Sequence, residues 1–312
     1  MPSRLGITVI SLLAGAALVP AQQGRGEGEG PLTFASDVAL AVFNVTVTDE
    51  KGRHIAGLTA RDFQVDEDGR AQAITLFDGA DRPASVGLIV DSSGSMLDKR
   101  SDVVKAALSF VAASNSQDEM FVVNFNEHAY SGLPDSMNFT QSADMVQVAL
   151  RRTPTGGFTA LYDALALGID RLKTGTRARK ALVVLSDGGD NASRRSLDDV
   201  LREARRSTAT IYTIGMYDDT DVDRNPRVLR TIADVSGGRA YFPRALTDLD
   251  RVWRAVAASI RSQYTVGYES NSLNRDGGYR TVTIKVTRNG RQRLRVTTRD
   301  GYFASGAALP RR

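Results

Sequence analysis

The stretch LIVDSSGSM, residues 88–96, places a carboxylate and three serine hydroxyls directly after an apolar run. Asp91, Ser93 and Ser95 stand at alternate positions, and Gly94 between the two serines permits a tight bend. A loop of this kind can turn three oxygen-bearing side chains toward one point. The simpler interpretation is a strand-to-helix turn in which a serine caps the following helix.

A second carboxylate ends another apolar run. Asp187 closes KALVVLSD, residues 180–187, much as Asp91 follows VGLIV, residues 86–90. In an open parallel sheet, ligands bind beyond the carboxyl ends of the strands, so both acids are expected in one crevice if their strands are neighbours. Two partly desolvated carboxylates repel each other, and a divalent cation would remove that repulsion.

The chemistry of the available donors narrows the choice of cation. All of them are oxygens, which favour Mg²⁺, Mn²⁺ or Ca²⁺ over zinc or copper. The chain has no cysteine, which excludes zinc–thiolate sites, thiol nucleophiles and disulfides. A fifth donor is expected in GGFTALYDAL, residues 156–165, where Thr159 precedes a predicted helix; Thr155 is a weaker substitute.

The predicted metal ligands are Asp91, Ser93, Ser95, Thr159 and Asp187. The three hydroxyl donors among them carry no charge, and one coordination position is expected to stay open to water. An acidic side chain of another protein could fill that position.

Elements that could position these ligands follow from the hydropathy pattern. Between Ser85 and Gln263, apolar runs alternate with segments of helical spacing, which predicts a mainly parallel sheet with helices on both faces. Shorter strand-like segments flank this region, at 42–49, 62–77, 264–268, 279–288 and 294–298. Asp68-Gly69 predicts a hairpin within the second of them. Neither flank can bury a face alone, so we predict that both form one small β-rich domain into which the α/β domain is inserted.

The N-terminus predicts export. Arg4 precedes the apolar run 5–19, and VPA at 19–21 predicts cleavage after Ala21. An uncleaved anchor is the alternative, although the run falls short of the roughly 20 residues that span a bilayer. The predicted parts are a signal peptide (1–21), a flexible linker (22–35), a β-rich segment (36–84), the α/β domain (85–263), a second β-rich segment (264–304) and a tail (305–312).

Three segments together carry a family resemblance. DSSGSM, GGFTALYDAL and LSDGGDN resemble the metal-ion-dependent adhesion site of von Willebrand factor type A domains, whose pattern is D-x-S-x-S, a distant Thr and a distant Asp. The flanks, such as GLTARDFQVDEDGRAQAITLF, are similar to a subgroup of exported bacterial proteins. The resemblance implies a Rossmann-like fold, a bound Mg²⁺-type ion and adhesion or scaffolding. It also implies that some carboxylates act through water, which leaves a water-mediated role open for Asp187. Phe158 departs from the family, in which Thr usually follows the glycine pair directly.

These observations predict an exported protein-binding or adhesion module in the periplasm, on the cell surface or secreted. It is expected to bind a protein ligand presenting Asp or Glu, not to be an enzyme, and to have no membrane span once the signal is cleaved. Nucleic acid is not expected as a partner, because the arginine pairs lack interleaved aromatics. The oligomeric state stays open. The alternatives are a metal-assisted, phosphatase-like hydrolase and a structural envelope protein with a degenerate site.

Four further polar positions have predicted roles. Asp190 and Asn191 are interpreted as solvated loop residues. Asp163, on the predicted helix after Thr159, is either a plain helix residue or orients a loop by a hydrogen bond. The two histidines, His54 and His128, lie in polar turns and are expected at the surface, which leaves a serine hydrolase without a base.

Overall fold

The computed structural model describes residues 40–216, 224–271, 277–288 and 294–304. The predicted signal peptide, linker and tail lie outside these residues. Within the described ranges, no helix combines the length and the apolar character that crossing a bilayer requires.

Fourteen strands and six α-helices occur among the described residues. The strands are β1 (Leu40–Thr48), β2 (Phe63–Glu67), β3 (Arg70–Gln72), β4 (Ile74–Asp78), β5 (Ala84–Asp91), β6 (Glu119–Phe125), β7 (Ala129–Ser131), β8 (Arg179–Ser186), β9 (Thr210–Gly215), β10 (Ala240–Tyr241), β11 (Tyr264–Glu269), β12 (Tyr279–Val286), β13 (Arg295–Thr297) and β14 (Gly301–Phe303). The helices are α1 (Arg100–Ala113), α2 (Ala143–Arg151), α3 (Leu161–Leu172), α4 (Leu197–Arg206), α5 (Pro226–Val235) and α6 (Leu249–Arg261).

The central sheet has six strands in the order β10-β9-β8-β5-β6-β7, and only the edge strand β7 runs antiparallel to its neighbour. Every residue of β5 is buried, as expected of an apolar strand covered on both faces. Helix α1 packs against α2 and α6, whereas α3, α4 and α5 pack in a second row. The predicted Rossmann-like sheet with helices on both faces is confirmed. Its β5–β8 pairing ends at Val90 and Leu185, which sets the two predicted acidic positions at one edge.

Two antiparallel sheets, β13-β1-β11-β4 and β14-β12-β2-β3, are formed by the chain on either side of this region. Strand β1 pairs with β11, and β2 pairs with β12, so each sheet combines N-terminal and C-terminal segments. Their apolar faces share one hydrophobic cluster, to which Phe43, Val266 and Ile284 belong. The predicted insertion of an α/β region into a β-rich part is therefore confirmed.

The strand-like segment 62–77 differs from the prediction in one respect. The hairpin turn is present, with positive φ at Asp68 (48°) and Gly69 (78°). The second predicted strand, however, is interrupted at Ala73, and its halves β3 and β4 join different sheets. The physical reason is that the two sheets share one core, so the chain must cross from one to the other. The short edge strand β7 was not predicted from the sequence, because three residues give too little alternation.

Candidate metal centre

The first site loop leaves the sheet at Asp91, the last residue of β5, whose side chain has no exposed surface. Its carboxylate accepts hydrogen bonds from the loop that follows β5 and from the end of β8. Oδ1 accepts the backbone N–H of Ser93 at 2.8 Å, and Oδ2 accepts the hydroxyl of Ser186 at 2.7 Å. Asp91 is therefore fixed in orientation at the carboxyl end of the sheet.

Two serines link this loop to the second acid. The hydroxyl of Ser95 donates to Asp187 Oδ2 at 2.7 Å, and the Oγ atoms of Ser93 and Ser95 are 3.2 Å apart. The other oxygen of Asp187 accepts the N–H of Gly189 at 2.9 Å. The structure thus brings Ser93, Ser95 and Asp187 into contact, beside the strand end that carries Asp91.

The two carboxylates influence each other electrostatically. Burial, and then the negative charge of Asp187, raise the pKa of Asp91 from 3.8 to about 6, while hydrogen bonds from Ser93 and Ser186 oppose the rise. At neutral pH the site therefore concentrates negative charge where little water can screen it. Among the described residues, no group of three or more His, Cys, Asp or Glu could hold a metal. A cation here would need serine or threonine hydroxyls to complete its shell, and oxygen ligands of this kind suit Mg²⁺, Mn²⁺ or Ca²⁺.

A third loop, between α2 and α3, lies against the first. The N–H of Gly156 donates to Ser92 O at 2.8 Å, and the N–H of Gly94 donates to Gly157 O at 3.2 Å. Gly157 has a φ of 84°, and a Cβ there would lie 1.7 Å from Glu127 Oε2, so both backbone and space require glycine. These contacts place the loop that carries Thr159 beside the serine loop.

Thr159 is buried and does not cap the helix that follows it, because Ala160 occupies the N-cap of α3. Its backbone is held on both sides by one residue. The N–H of Thr159 donates to Asn191 Oδ1 at 2.8 Å, and Thr159 O accepts the N–H of Asn191 at 2.9 Å. The threonine loop and the loop after β8 are thus joined through Asn191.

The interpretation of Asp190 and Asn191 as solvated loop residues is correct for the exposure of Asn191 but wrong for Asp190, which is half-buried. Besides the Asn191 contacts, Asp190 Oδ1 accepts the Ser193 hydroxyl at 2.6 Å and the N–H of Tyr162 at 3.1 Å, and burial raises the pKa of Asp190. The sequence signal for these contacts was the cluster of Asp, Asn and Ser residues after β8, because such side chains commonly form hydrogen bonds with backbone groups.

Asp163 takes the orienting role that the sequence left as one of two possibilities. Its carboxylate accepts the N–H groups of Arg194 and Arg195 at 3.1 and 3.2 Å. This acid on α3 therefore fixes the far end of the loop that starts at Asp187.

The histidines differ from each other. His128 is exposed, as predicted. His54 is half-buried, which corrects the prediction: its Nε2 lies 3.3 Å from Ser259 Oγ on α6, and burial lowers its pKa. The cause is tertiary, because the turn after β1 packs against a helix more than two hundred positions later in the chain.

The family model described as the von Willebrand factor type A domain matches residues 85–253. No curated protein sequence matches. A solved von Willebrand factor type A structure from Catenulispora acidiphila is 18% identical, with a TM-score of 0.51, over 88% of this chain and 76% of that one.

Two further solved structures are similar at lower coverage. Proximal thread matrix protein 1 from the mussel byssus has a TM-score of 0.50 and 16% identity, over 62% of this chain and 51% of that one. The vWF domain of the type V pili tip protein Mfa5 from Porphyromonas gingivalis has a TM-score of 0.48 and 14% identity, over 57% and 95%. Since the family model covers more than half of the 312 residues, the chain belongs to the von Willebrand factor type A domain family.

Proposed function

We propose that this chain is an exported protein-binding module that holds a divalent cation and uses it to capture an acidic side chain of a partner protein. The proposed ligands are Asp91, Ser93, Ser95, Thr159 and Asp187, with Mg²⁺ as the first choice and Mn²⁺ or Ca²⁺ as alternatives. The observation that supports it best is the buried Asp91, whose pKa is raised by burial and by a second carboxylate.

The donor set supports a hard cation. The Ser95 hydroxyl lies within hydrogen-bonding distance of both Ser93 Oγ and Asp187 Oδ2, so small shifts would let these oxygens face a common ion instead. The backbone bonds from Gly156 and Gly94 hold the Thr159 loop against the serine loop, which supports Thr159 as a further hydroxyl donor. Asp91 Oδ2 accepts the hydroxyl of Ser186, and Asp187 Oδ1 accepts the N–H of Gly189. These bonds fix the direction in which Asp91 Oδ1 and Asp187 Oδ2 are presented.

The coordination number supports a partner carboxylate. Five protein oxygens leave one of the six positions of an octahedral Mg²⁺ free, and the three hydroxyl donors among them carry no negative charge. The bound cation would supply the positive charge that an Asp or Glu of a partner needs when it loses water. The chain's own residues would supply orientation, because the three loops are cross-linked by hydrogen bonds before any partner arrives.

Export is supported by the sequence pattern of Arg4, the apolar run 5–19 and a small residue at the predicted cleavage point. With this pattern, the module would act in the periplasm, on the cell surface or outside the cell. A binding role without turnover is part of the proposal.

Calorimetric titration of the EDTA-treated protein with Mg²⁺ tests the cation site. Wild type is expected to bind, and Asp91→Ala is expected to lose binding while keeping its far-UV circular dichroism spectrum. Asp170→Ala is the matched control, because it removes an exposed acid on α3 that pairs with Lys173 at 2.9 Å. A wild-type protein that gives no heat with Mg²⁺, Mn²⁺ or Ca²⁺ would contradict the proposal.

Capture of proteins from the exported fraction, with and without EDTA, tests the binding role. Partners retained by wild type with Mg²⁺ should be released by chelator and absent from the Asp91→Ala beads. Partners that stay bound in EDTA would refute the mechanism. Mg²⁺-dependent hydrolysis of a phosphoester by the protein would favour the hydrolase alternative.

A further inference from the structure

Two large apolar side chains stand exposed on the loops of the proposed metal site. Phe158 is 66% exposed and directly precedes Thr159, and Leu97 is 62% exposed and follows Ser95 by two positions. The other large hydrophobic side chains that are exposed in the described part of the chain are Leu40, Leu76, Tyr130 and Val148. Single exposed apolar residues are ordinary, but here two adjoin one polar site.

The backbone around Phe158 is held in place. On one side, Gly157 O accepts the N–H of Gly94 at 3.2 Å, and on the other, the backbone N–H and the carbonyl of Thr159 both bond to Asn191. The aromatic ring is therefore presented by a fixed loop. Binding a partner over this ring therefore costs this chain little conformational entropy, which favours tight association.

We propose that Leu97 and Phe158 form an apolar rim beside the metal site, and that the partner segment carries a large apolar side chain next to its Asp or Glu. The inference rests on the proposed function and names the partner's chemistry. The carboxylate would meet the cation, and the neighbouring apolar side chain would cover the apolar rim and exclude water from the charged contact.

The charges near the apolar rim favour an apolar neighbour over a second acid. The carboxylate of Glu127 packs against Gly157, where a Cβ would lie 1.7 Å from its Oε2. Asp98, next to Leu97, is exposed. A run of acidic residues in a partner would meet these like charges, whereas one acid beside an apolar side chain would not.

The test uses labelled peptides of matched length on the full chain, followed by fluorescence anisotropy with Mg²⁺ or with EDTA. The peptides are Gly-Gly-Asp-Leu-Gly-Gly, Gly-Gly-Leu-Asp-Gly-Gly, Gly-Gly-Asp-Gly-Gly-Gly and an Asn analogue of each. Wild type is expected to bind at least one Leu-containing Asp peptide about tenfold more tightly than the Gly peptide, the gain that burying one Leu side chain provides.

Variants of the rim residue Phe158 test whether the apolar rim causes the preference for Leu-containing peptides. Phe158→Ala should reduce the preference for Leu to about twofold, while Phe158→Leu should retain most of it, since an apolar surface remains. Val148→Ala is the matched control, because Val148 is 63% exposed but lies on α2. It should bind all peptides as wild type does.

The outcomes separate the two proposals. Equal Mg²⁺-dependent binding of the Leu and Gly peptides, or an unchanged preference in Phe158→Ala, overturns the apolar rim and leaves the cation-mediated capture standing. Three outcomes refute carboxylate capture in this form, and with it the apolar rim: peptide binding that is unchanged in EDTA, equal binding of the Asp peptides and their Asn analogues, or no binding of any peptide.

Discussion

At Asp91, the free energy of folding depends on protonation. The pKa of this buried carboxyl is about 6 in the folded chain, against an ordinary value of 3.8. The folded protein therefore binds the proton more tightly than the unfolded chain does. Stability falls as pH rises through this window, and the full loss, on the order of 3 kcal/mol, is present above it. A bound cation would offset this cost at neutral pH.

A pH titration of the metal-free protein measures this effect. In EDTA, the free energy of unfolding of wild type relative to Asp91→Asn should rise as pH is lowered from about 7 to about 5. Urea denaturation at each pH gives the difference. Comparing the two proteins matters because the lowered pKa of His54 acts in the opposite direction, destabilising the fold in acid. A flat difference would show that Asp91 ionises as an ordinary carboxyl.

Asp91→Asn should also separate folding from metal binding. Without metal at neutral pH, the neutral amide should make the protein more stable than wild type by about 1–3 kcal/mol, because it removes the buried charge. Added Mg²⁺ should raise the melting temperature of wild type and leave that of Asp91→Asn unchanged. A variant that is less stable than wild type in EDTA would contradict the argument.

At the scale of the elements, three loops from separate strands and helices meet through backbone bonds. The least obvious link is Asn191, which pairs with both backbone groups of Thr159. These bonds hold the threonine loop in a fixed position relative to the loop after β8. It gives the site a preformed geometry that does not depend on the cation.

Replacing Asn191 tests this link. Asn191→Ala leaves the N–H of Thr159 without its acceptor, and Mg²⁺ affinity should fall about fivefold, the effect of one net hydrogen bond. Asn191→Asp keeps an acceptor oxygen and should restore most of the affinity. Calorimetric titration supplies the affinities, and melting temperatures close to wild type would confirm that the fold is intact. Unchanged affinity in Asn191→Ala would argue against a preformed loop.

The sequence predicted what short-range patterns determine. The apolar runs of β5 and β8 require a buried parallel sheet, and that topology alone brings Asp91 and Asp187 to one edge. Roles that depend on contacts between distant segments were not predictable. His54 packs on α6, Asn191 bonds to the Thr159 loop, and the break at Ala73 exists because two sheets share a core.

At the scale of the molecule, the apolar interior is divided between two clusters. One lies around the six-stranded sheet and its helices, and the other lies between the antiparallel sheets. The second cluster needs strands from both sides of the α/β region, since β1 pairs with β11 and β2 with β12.

A chain that stops after Gln263 tests this division. Without β11 to β14, the strands β1, β2 and β4 lose their described partners from the C-terminal side. Residues 40–84 should then be cut rapidly by trypsin, while the α/β region still gains thermal stability from Mg²⁺. Protection of residues 40–84 equal to that in the full chain would refute the shared core.

The pairing of β4 with β11 has a mechanical consequence. Asp78, near the start of the α/β region, lies opposite Thr265, just after its end, and the pair continues outward to Ile74 and Tyr268. Tension pulling these two strands apart from their outer ends opens the outermost bonds first and reaches Asp78 and Thr265 last. The α/β region and its ligand loops would therefore carry no force until the pairing of β4 with β11 has opened completely.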